Sequence, residues 1–237
     1  MFKGYWLRSK NLRKKVNINL GPGIWISICL AFLYFAVSSL KASPSISLEK
    51  IQQMEQKSHG AIQKRYRAWA KLLETLKNKP VNVKLEKVNS FFNQFRYQTS
   101  EESRGIADYW KTPDEFINDG GGDCKDYVII KYFTLINLGI PREKLRLTYV
   151  IYLTLKQAHM VLSYYPSPES EPLILDNLEN KILIASKRPD LKPIYSFNGE
   201  GLWLQKQRNQ GTFLGQPSSL GKWDDLMKRM QLQGDKP

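Results

Sequence analysis

Residues 120–139 read Gly-Gly-Gly-Asp-Cys-Lys-Asp-Tyr-Val-Ile-Ile-Lys-Tyr-Phe-Thr-Leu-Ile-Asn-Leu-Gly, and this stretch decides the fold. The glycines indicate a loop, and the apolar run from Tyr127 onward predicts a helix that is buried on most of its surface. Gly139 and Pro141 are residue types that end a helix. The stretch therefore predicts a glycine loop that leads into a buried helix, with Cys124 in its first turn.

Cys124 has the placement of a reactive thiol. A helix N-terminus stabilises a thiolate through its unpaired N–H groups and the positive end of its dipole. The glycines would let a substrate backbone approach and would point main-chain N–H groups at an oxyanion; a loop without such a role is the alternative. The chain has 2 cysteines, of which Cys29 lies in the N-terminal segment. The rest of the chain therefore has one thiol. If that part is exported to an oxidising compartment, a lone thiol there is unusual and suggests that Cys124 has a chemical role.

The thiol requires a base, and the chain has 2 histidines. His59 lies in the polar sequence Lys-Ser-His-Gly, which favours a solvated surface residue. His159 begins an apolar run after a turn at residues 156–158, which places it at the rim of a sheet. A structural histidine is the alternative at that position. Because no other base competes, we predict that His159 is the general base.

Asp176 is the candidate for the third catalytic residue. It follows the apolar run Leu-Ile-Leu at residues 173–175 and should emerge at a strand end, beside the strand of His159. A carboxylate there would accept a hydrogen bond from the imidazole, fix its tautomer and stabilise its charged form. A turn made by Asp-Asn-Leu is the alternative.

The remaining pattern predicts helices first and strands afterwards. One amphipathic helix is expected over residues 47–79, a second around residues 85–95, and a short third with Pro113 in its first turn and Thr112 as its cap. Strands are expected at residues 145–155, 159–165 and 172–176. Helices followed by strands in this way are typical of an α+β fold.

The N-terminal residues 1–45 are predicted to be a leader. Seven cations and no acid occur in residues 1–42, and residues 24–40 form an uncharged apolar run. Cations before such a run hold that end in the cytoplasm, so the rest of the chain should be exported. Cleavage is left open, because Ala42 offers a poor cleavage site. An uncleaved anchor and a buried core helix are the alternatives.

Residues 46–205 are assigned to one globular domain, and residues 206–237 to a polar C-terminal tail. The chain has 36 Lys and Arg against 22 Asp and Glu, a formal charge of +14, and seven of those cations belong to the leader. No Lys/Arg stripe with interleaved aromatic residues stands out. Nucleic-acid binding is therefore not expected.

Several segments carry a family resemblance. They are Gly-Gly-Asp-Cys-Lys-Asp-Tyr at 121–127, Ala-His-Met-Val-Leu at 158–162, Leu-Ile-Leu-Asp-Asn at 173–177 and Gly-Glu-Gly-Leu-Trp-Leu at 199–204, with Tyr66–Trp69 and Tyr109–Phe116. They resemble the bacterial transglutaminase-like cysteine proteinases of the LapG type. The resemblance implies a papain/transglutaminase-like fold, in which a helical lobe bears Cys124 at a helix N-terminus. This lobe would pack on an antiparallel sheet that bears His159 and Asp176.

The resemblance also implies a function. A periplasmic cysteine endopeptidase of this type cleaves the N-terminal region of a large surface adhesin at a di-alanine site and so releases cells from a biofilm. The partner that sequesters the protease would be an inner-membrane cyclic-di-GMP receptor. The alternatives are acyl transfer to an amine, cell-wall amide hydrolysis, and a catalytically silent binding module on the same fold.

One position departs from the family pattern. Family members carry Asp-Cys-Glu-Asp at the nucleophile and bind calcium beside it, whereas this chain has Asp123, Cys124, Lys125 and Asp126. Ca²⁺ prefers several oxygen ligands, and Lys125 removes one carboxylate and adds a cation. Either Asp123 and Asp126 form a weakened calcium site, or Lys125 pairs with them in place of the ion. Helix capping by the two aspartates is the alternative. The motifs indicate no organic cofactor.

Overall fold

The structure is a computed structural model that describes residues 46–205, 211–215 and 220–234. Most of its helices come before its strands along the chain, in the order that the sequence predicts. The described α-helices are α1 (Leu48–Lys57), α2 (Gly60–Leu76), α3 (Val81–Phe92), α4 (Ser100–Arg104), α5 (Pro113–Asp119), α6 (Cys124–Asn137) and α7 (Gly221–Gly234).

The described strands form two sheets. The smaller is a parallel pair of β1 (Arg96–Tyr97) and β2 (Gly121–Gly122). The larger is antiparallel throughout and has the strand order β6-β5-β4-β3-β7-β8-β9. Its strands are β3 (Leu145–Tyr152), β4 (Gln157–Tyr164), β5 (Leu173–Leu175), β6 (Leu183–Ile184), β7 (Leu191–Phe197), β8 (Leu202–Gln205) and β9 (Gly211–Gly215).

Helix α6 lies at the centre of the described fold. It packs on β3 and β4 of the large sheet and on the helices α3 and α5. Its residues from Asp126 to Leu135 are all buried, so it lacks the polar stripe of a surface helix. Trp69 of α2 reaches it through a hydrogen bond of 3.1 Å from Nε1 to Oγ1 of Thr134. The predicted α+β fold, with a helical lobe on an antiparallel sheet, is confirmed.

The first predicted helix, residues 47–79, is wrong in one respect, because the structure contains two helices there. Ser58 and His59 have extended backbone conformations, and Gly60 opens α2 with a φ of +60°. A left-handed φ is readily adopted by glycine, so this position allows the chain to change direction between α1 and α2. The apolar stripe of α2 is still buried, and it includes Tyr66 and Trp69.

The C-terminal region also differs from its prediction. Residues 206–237 were expected to be a polar tail outside the domain, but β9 extends the large sheet by pairing with β8. Helix α7 buries Trp223, Leu226 and Met230 in the main core. Trp223 stacks on Phe133 of α6 with ring centroids 6.2 Å apart. The described part of this region therefore belongs to the folded domain, because its few apolar residues share one helix face.

The leader lies outside the described residues. This includes the apolar run at residues 24–40, so its predicted role in export or anchoring stays a prediction. None of the helices in the described ranges is long and apolar enough to cross a membrane.

Candidate active site

The loop before Cys124 is held by the protein's own backbone. Gly121 pairs with Arg96 in the β1–β2 ladder, and a Cβ atom at Gly121 would lie 1.9 Å from the Arg96 carbonyl oxygen. A Cβ atom at Gly122 would lie 2.5 Å from Oδ2 of Asp126. The glycines therefore make room for strand β1 and for Asp126. This corrects the expectation that they admit a substrate backbone.

Cys124 is the first residue of α6, as predicted, and its thiol is free and half-buried. The end of this helix is fixed by the carboxylate of Asp126. That carboxylate accepts hydrogen bonds from the main-chain N–H groups of Asp123, at 3.1 Å, and of Lys111, at 2.9 Å. The position of Cys124 is thus determined by main-chain contacts on both sides of the loop.

Lys111 is a supporting residue that sequence reasoning missed. Its side chain is fully buried, and Nζ donates to the carbonyl oxygen of Gly121 at 3.0 Å and lies 3.1 Å from Oδ2 of Asp119. A buried ammonium needs such partners, because desolvating it is otherwise costly. Only its position inside the Tyr-Trp-Lys-Thr-Pro segment, between aromatic and helix-starting residues, could have indicated burial.

His159 and Asp176 are brought together by the pairing of β4 with β5. His159 lies near the start of β4, and Asp176 directly follows β5, whose Leu175 is opposite Leu162. Nε2 of His159 lies 2.8 Å from Oδ1 of Asp176, and both side chains are buried. Because Nε2 is engaged, Nδ1 is the nitrogen left to hydrogen-bond Cys124. The three predicted residues therefore meet in one site.

The electrostatics of this pair favour a charged imidazole. Burial alone would lower the pKa of His159, but hydrogen bonds with Asp176 and Cys124 and the charges of both raise it to about 9. Burial alone would raise the pKa of Asp176, but its contacts with His159, the Leu178 N–H and Arg188 lower it to about 2. An imidazolium between two acidic groups is therefore the stable state at neutral pH.

Arg188 is the second supporting residue that sequence reasoning missed. Its Nη2 donates to Oδ2 of Asp176 at 2.8 Å and to Oδ2 of Asp190 at 2.7 Å. With Nε2 of His159 and the N–H of Leu178 on Oδ1, both oxygens of Asp176 have donors. The local sequence Lys-Arg-Pro-Asp gave no indication of this contact, which depends on how the segment after β6 folds back.

The thiol and the imidazole open into one cleft of about 270 Å³. Its other lining residues include Tyr97 from β1, Tyr152 at the end of β3, Leu155 of the turn between β3 and β4, and Leu178 after Asp176. His59 is exposed at the N-terminus of α2 and does not line this cleft. The structure therefore places His159, and not His59, where a base for Cys124 must lie.

Comparison with known proteins agrees with this geometry. Residues 54–197 match the sequence profile of the bacterial transglutaminase-like cysteine proteinases (BTLCP). The chain belongs to this family. It is similar to Legionella pneumophila LapG, with 62% identity over 79% of this chain and 99% of that one, and a TM-score of 0.72. Structures of EGTA-treated and calcium-bound L. pneumophila LapG give TM-scores of 0.73 and 0.70 at the same identity, over 79% and 78% of this chain and 99% of theirs. None of the curated proteins matches the chain.

As a member of the BTLCP family, the chain is a cysteine proteinase. Lys125 directly follows its candidate nucleophile. Nζ of Lys125 forms an ion pair with Oδ2 of Asp123, and it lies 3.0 Å from Oγ of Ser100. Oγ of Ser100 is also 3.0 Å from Oδ2 of Asp123. The ammonium, the buried carboxylate and the hydroxyl therefore all contact one another.

The oxygen atoms of Asp123 and Asp126 do not fit a calcium site in this BTLCP protein. Oδ1 of Asp123 is buried without a hydrogen-bond partner, which by itself would suit a cation. However, Lys125 occupies the other oxygen, and both oxygens of Asp126 accept main-chain N–H groups. In the described ranges, no three His, Cys, Asp or Glu side chains come together as metal ligands. Ca²⁺ requires about 6–8 oxygen ligands, whereas three of the four carboxylate oxygens of Asp123 and Asp126 already have other partners.

Proposed function

We propose that this chain is a LapG-type endopeptidase that acts through Cys124, His159 and Asp176. The observation that carries the proposal is the pair of His159 and Asp176, joined at 2.8 Å, in the cleft that also holds the thiol at the start of α6. A nucleophile, a base in reach of it and a third group that orients the base are the parts of a hydrolytic triad.

In this mechanism the Cys124 thiolate attacks the carbonyl carbon of the scissile peptide bond. The negative charge on the carbonyl oxygen is stabilised by main-chain N–H groups at the start of α6, which have no intrahelical partner. The imidazolium of His159 gives its Nδ1 proton to the leaving amine, and a thioester remains on Cys124. Water then attacks the thioester, and its proton passes to Nδ1 of His159. The carboxylic acid product leaves, which restores the Cys124 thiolate and the His159 imidazolium.

Asp176 supports both steps without taking the proton. Its carboxylate holds Nε2–H of His159, so that Nδ1 faces the thiol, and its charge stabilises the imidazolium. Arg188 keeps this carboxylate ionised and in place. The low pKa of Asp176 supports this role, because a carboxylate that stayed protonated could not stabilise a cation.

The proposed substrate is the N-terminal region of a large surface adhesin, cleaved at a di-alanine site so that cells leave a biofilm. Similarity to L. pneumophila LapG at 62% identity supports this class of protease. We expect the folded part to act in the periplasm, free or tethered by residues 24–40, and to be sequestered by an inner-membrane cyclic-di-GMP receptor. Cell fractionation tests this location, and recovery of the chain from the cytoplasm would contradict it.

In the proposed enzyme, the ammonium of Lys125 takes the place of a calcium ion beside the nucleophile. The proposal is supported by its ion pair with Asp123 and by the engagement of both oxygens of Asp126. A calcium-bound form is known for L. pneumophila LapG, and no step of the mechanism given above requires the ion. Of the two alternatives that the sequence leaves open, a weakened calcium site and a lysine in place of the ion, we propose the second.

The deciding experiment is cleavage of a defined substrate. The full chain is incubated with N-terminal adhesin fragments that contain a di-alanine site, and new termini are identified by mass spectrometry. The controls are Cys124→Ala and a fragment whose two alanines are replaced by arginines. We expect one new pair of termini, only with the wild-type enzyme and the intact site. Addition of a primary amine distinguishes acyl transfer, which would add the mass of the amine to the product.

A further inference from the structure

A second buried lysine lies beneath the catalytic residues. Lys131 belongs to α6, two helical turns after Cys124, and its side chain is fully buried. Its Nζ donates to Oδ1 of Asn89 at 2.7 Å and to Oδ1 of Asn93 at 2.6 Å. Both partners are neutral amides, Asn89 within helix α3 and Asn93 directly after it. Its Nζ also lies 5.7 Å from the centroid of the Tyr127 ring. A buried ammonium that donates to neutral amides is costly, which calls for an explanation beyond packing.

The two asparagines connect Lys131 to the segment of Asp176. Nδ2 of Asn93 donates to the main-chain carbonyl oxygen of Asp176 at 2.8 Å and to Oδ1 of Asn180 at 2.7 Å. Nδ2 of Asn89 donates to the carbonyl oxygen of Asn180 at 3.1 Å. Residues 176–180 are therefore tied to the helical lobe at both ends by these amides.

Lys131 and the oxygen atoms of residues 176 and 180 together set the orientation of both amides. An ammonium only donates, so Asn89 and Asn93 must both turn their oxygens toward it. Their NH₂ groups must then face Asp176 and Asn180, which offer oxygen atoms. With an apolar residue at position 131, the two buried amide oxygens would lose their donor, and each amide would be held only through its NH₂ group.

We propose that Lys131 is a positioning residue of the catalytic site, which acts through Asn93 to hold Asp176 in register with His159. This inference rests on the proposed triad. Asp176 is held on one side by Arg188 and on the other by Asn93, so its main chain and its carboxylate have separate supports. Burial lowers the pKa of Lys131 to about 7, and the negative charge of Asp176 acts against this lowering and favours the ammonium.

The first test compares Lys131→Met with Lys84→Met. Lys84 is the control, because it is a lysine of α3 whose Nζ also joins α3 to the chain of α6. It donates to the carbonyl oxygen of Leu138, directly after α6, at 2.8 Å, and within the described residues none of its hydrogen bonds reaches the segment of Asp176. We expect Lys131→Met to lower kcat at least about 10-fold with KM nearly unchanged, a size common for contacts within one network. Lys84→Met should leave both constants unchanged.

Alkylation of Cys124 by iodoacetamide supplies a second measurement that needs no substrate. In the wild type, the rate at which iodoacetamide alkylates Cys124 should change at alkaline pH. The change should occur near pH 9, where His159 loses its proton, because the pKa of His159 is raised to about 9. In Lys131→Met this change should move to lower pH, because a poorly held Asp176 stabilises the imidazolium less. Wild-type kcat and an unshifted profile in this variant would overturn the inference. A shifted profile in an enzyme that cleaves no adhesin would instead count against the proposed substrate alone.

Asn93→Asp keeps the inference testable if Lys131→Met does not fold. The new carboxylate would form an ion pair with Lys131, but it could not donate to the Asp176 carbonyl oxygen. We expect a folded protein with reduced kcat and wild-type KM. If Asn93→Asp folds and retains the wild-type kcat, the link from Lys131 to Asp176 has no catalytic role.

Discussion

The two halves of the catalytic site are held by different kinds of contact. The nucleophile half, residues 120–124 with β1, depends on close main-chain packing, since a Cβ at Gly121 would lie 1.9 Å from the Arg96 carbonyl oxygen. The base half, His159 with Asp176 and Arg188, depends on charged side chains joined at 2.8 Å. Added bulk should therefore damage the first half, whereas lost charge should damage the second.

This difference separates two ways of losing activity. A change in the base half can remove catalysis and leave the fold intact, because His159 lies near the start of β4 and Asp176 directly after β5. A change in the nucleophile loop must disturb the β1–β2 ladder before it disturbs the thiol. The predictions below test this contrast.

The largest effect is expected for His159→Ala, because it removes the proton donor and acceptor of both steps. Activity should fall by several orders of magnitude, by analogy with the 10³–10⁶-fold scale of other triads. The protein should still fold, with a lower thermal midpoint, because the variant lacks the buried pair with Asp176. His59→Ala is the matched control, since His59 is exposed and outside the cleft, and it should retain full activity. Peptide cleavage rates check both variants, and the reverse pattern would show that His59 is the base.

Gly121→Ala should damage both stability and activity. Its φ of +152° is unfavourable for a residue with a Cβ, and the Arg96 carbonyl oxygen would have to move by about 1 Å to relieve the clash. Gly139→Ala is the control for strain alone, since Gly139 has a φ of +83° but nothing within 4 Å of an added Cβ.

We expect Gly139→Ala to cost about 1–2 kcal/mol of unfolding free energy, with normal turnover per folded molecule. Gly121→Ala should cost clearly more and should also slow that turnover. Denaturant unfolding and active-site titration measure the two quantities. Equal destabilisation by both variants would show that contact with β1 does not constrain the nucleophile loop.

The base half predicts a particular dependence of stability on pH. The pKa of His159 is raised from near 6.5 to about 9, so its charge stabilises the fold fully below 6.5, and this contribution is lost as the pH rises to 9. The pKa of Asp176 is lowered from 3.8 to about 2, so its contribution is present above 3.8 and is lost toward pH 2. Asp176→Asn should flatten the loss between pH 6.5 and 9. Unfolding free energies across that range measure this, and equal slopes would contradict the pairing.

The contrast between the halves also explains what the sequence could predict. Cys124 was found because a glycine loop and an apolar helix are local patterns, and the strand pattern placed His159 and Asp176 at neighbouring strand ends. The structure brings these three together, although their catalytic roles stay proposals. Arg188 and Lys131 were missed, because their contacts with Asp176 and Asn93 depend on tertiary folding. The apolar residues on both sides of Lys131 were the one sign that this lysine is buried.

The smallest effect on catalysis, and the sharpest test of the nucleophile half, concerns Lys125. Its ammonium already neutralises Asp123, so the wild-type protein should bind no calcium at micromolar concentrations, and EGTA should change neither its activity nor its thermal midpoint. Lys125→Glu removes this cation and supplies a carboxylate. It should therefore gain saturable calcium binding and a thermal midpoint that rises with added calcium. Calorimetry on variants that also carry Cys124→Ala measures calcium binding without self-cleavage of the protein.

Lys125→Met distinguishes loss of the cation from gain of a ligand. This variant leaves the buried carboxylate of Asp123 without its ammonium partner, which should cost about 1–3 kcal/mol of stability. Because it adds no oxygen ligand, calcium should restore that stability only weakly, in contrast to Lys125→Glu. Saturable micromolar binding by the wild-type protein would refute the replacement, since the long lysine side chain would then have to leave Asp123 for the ion to enter.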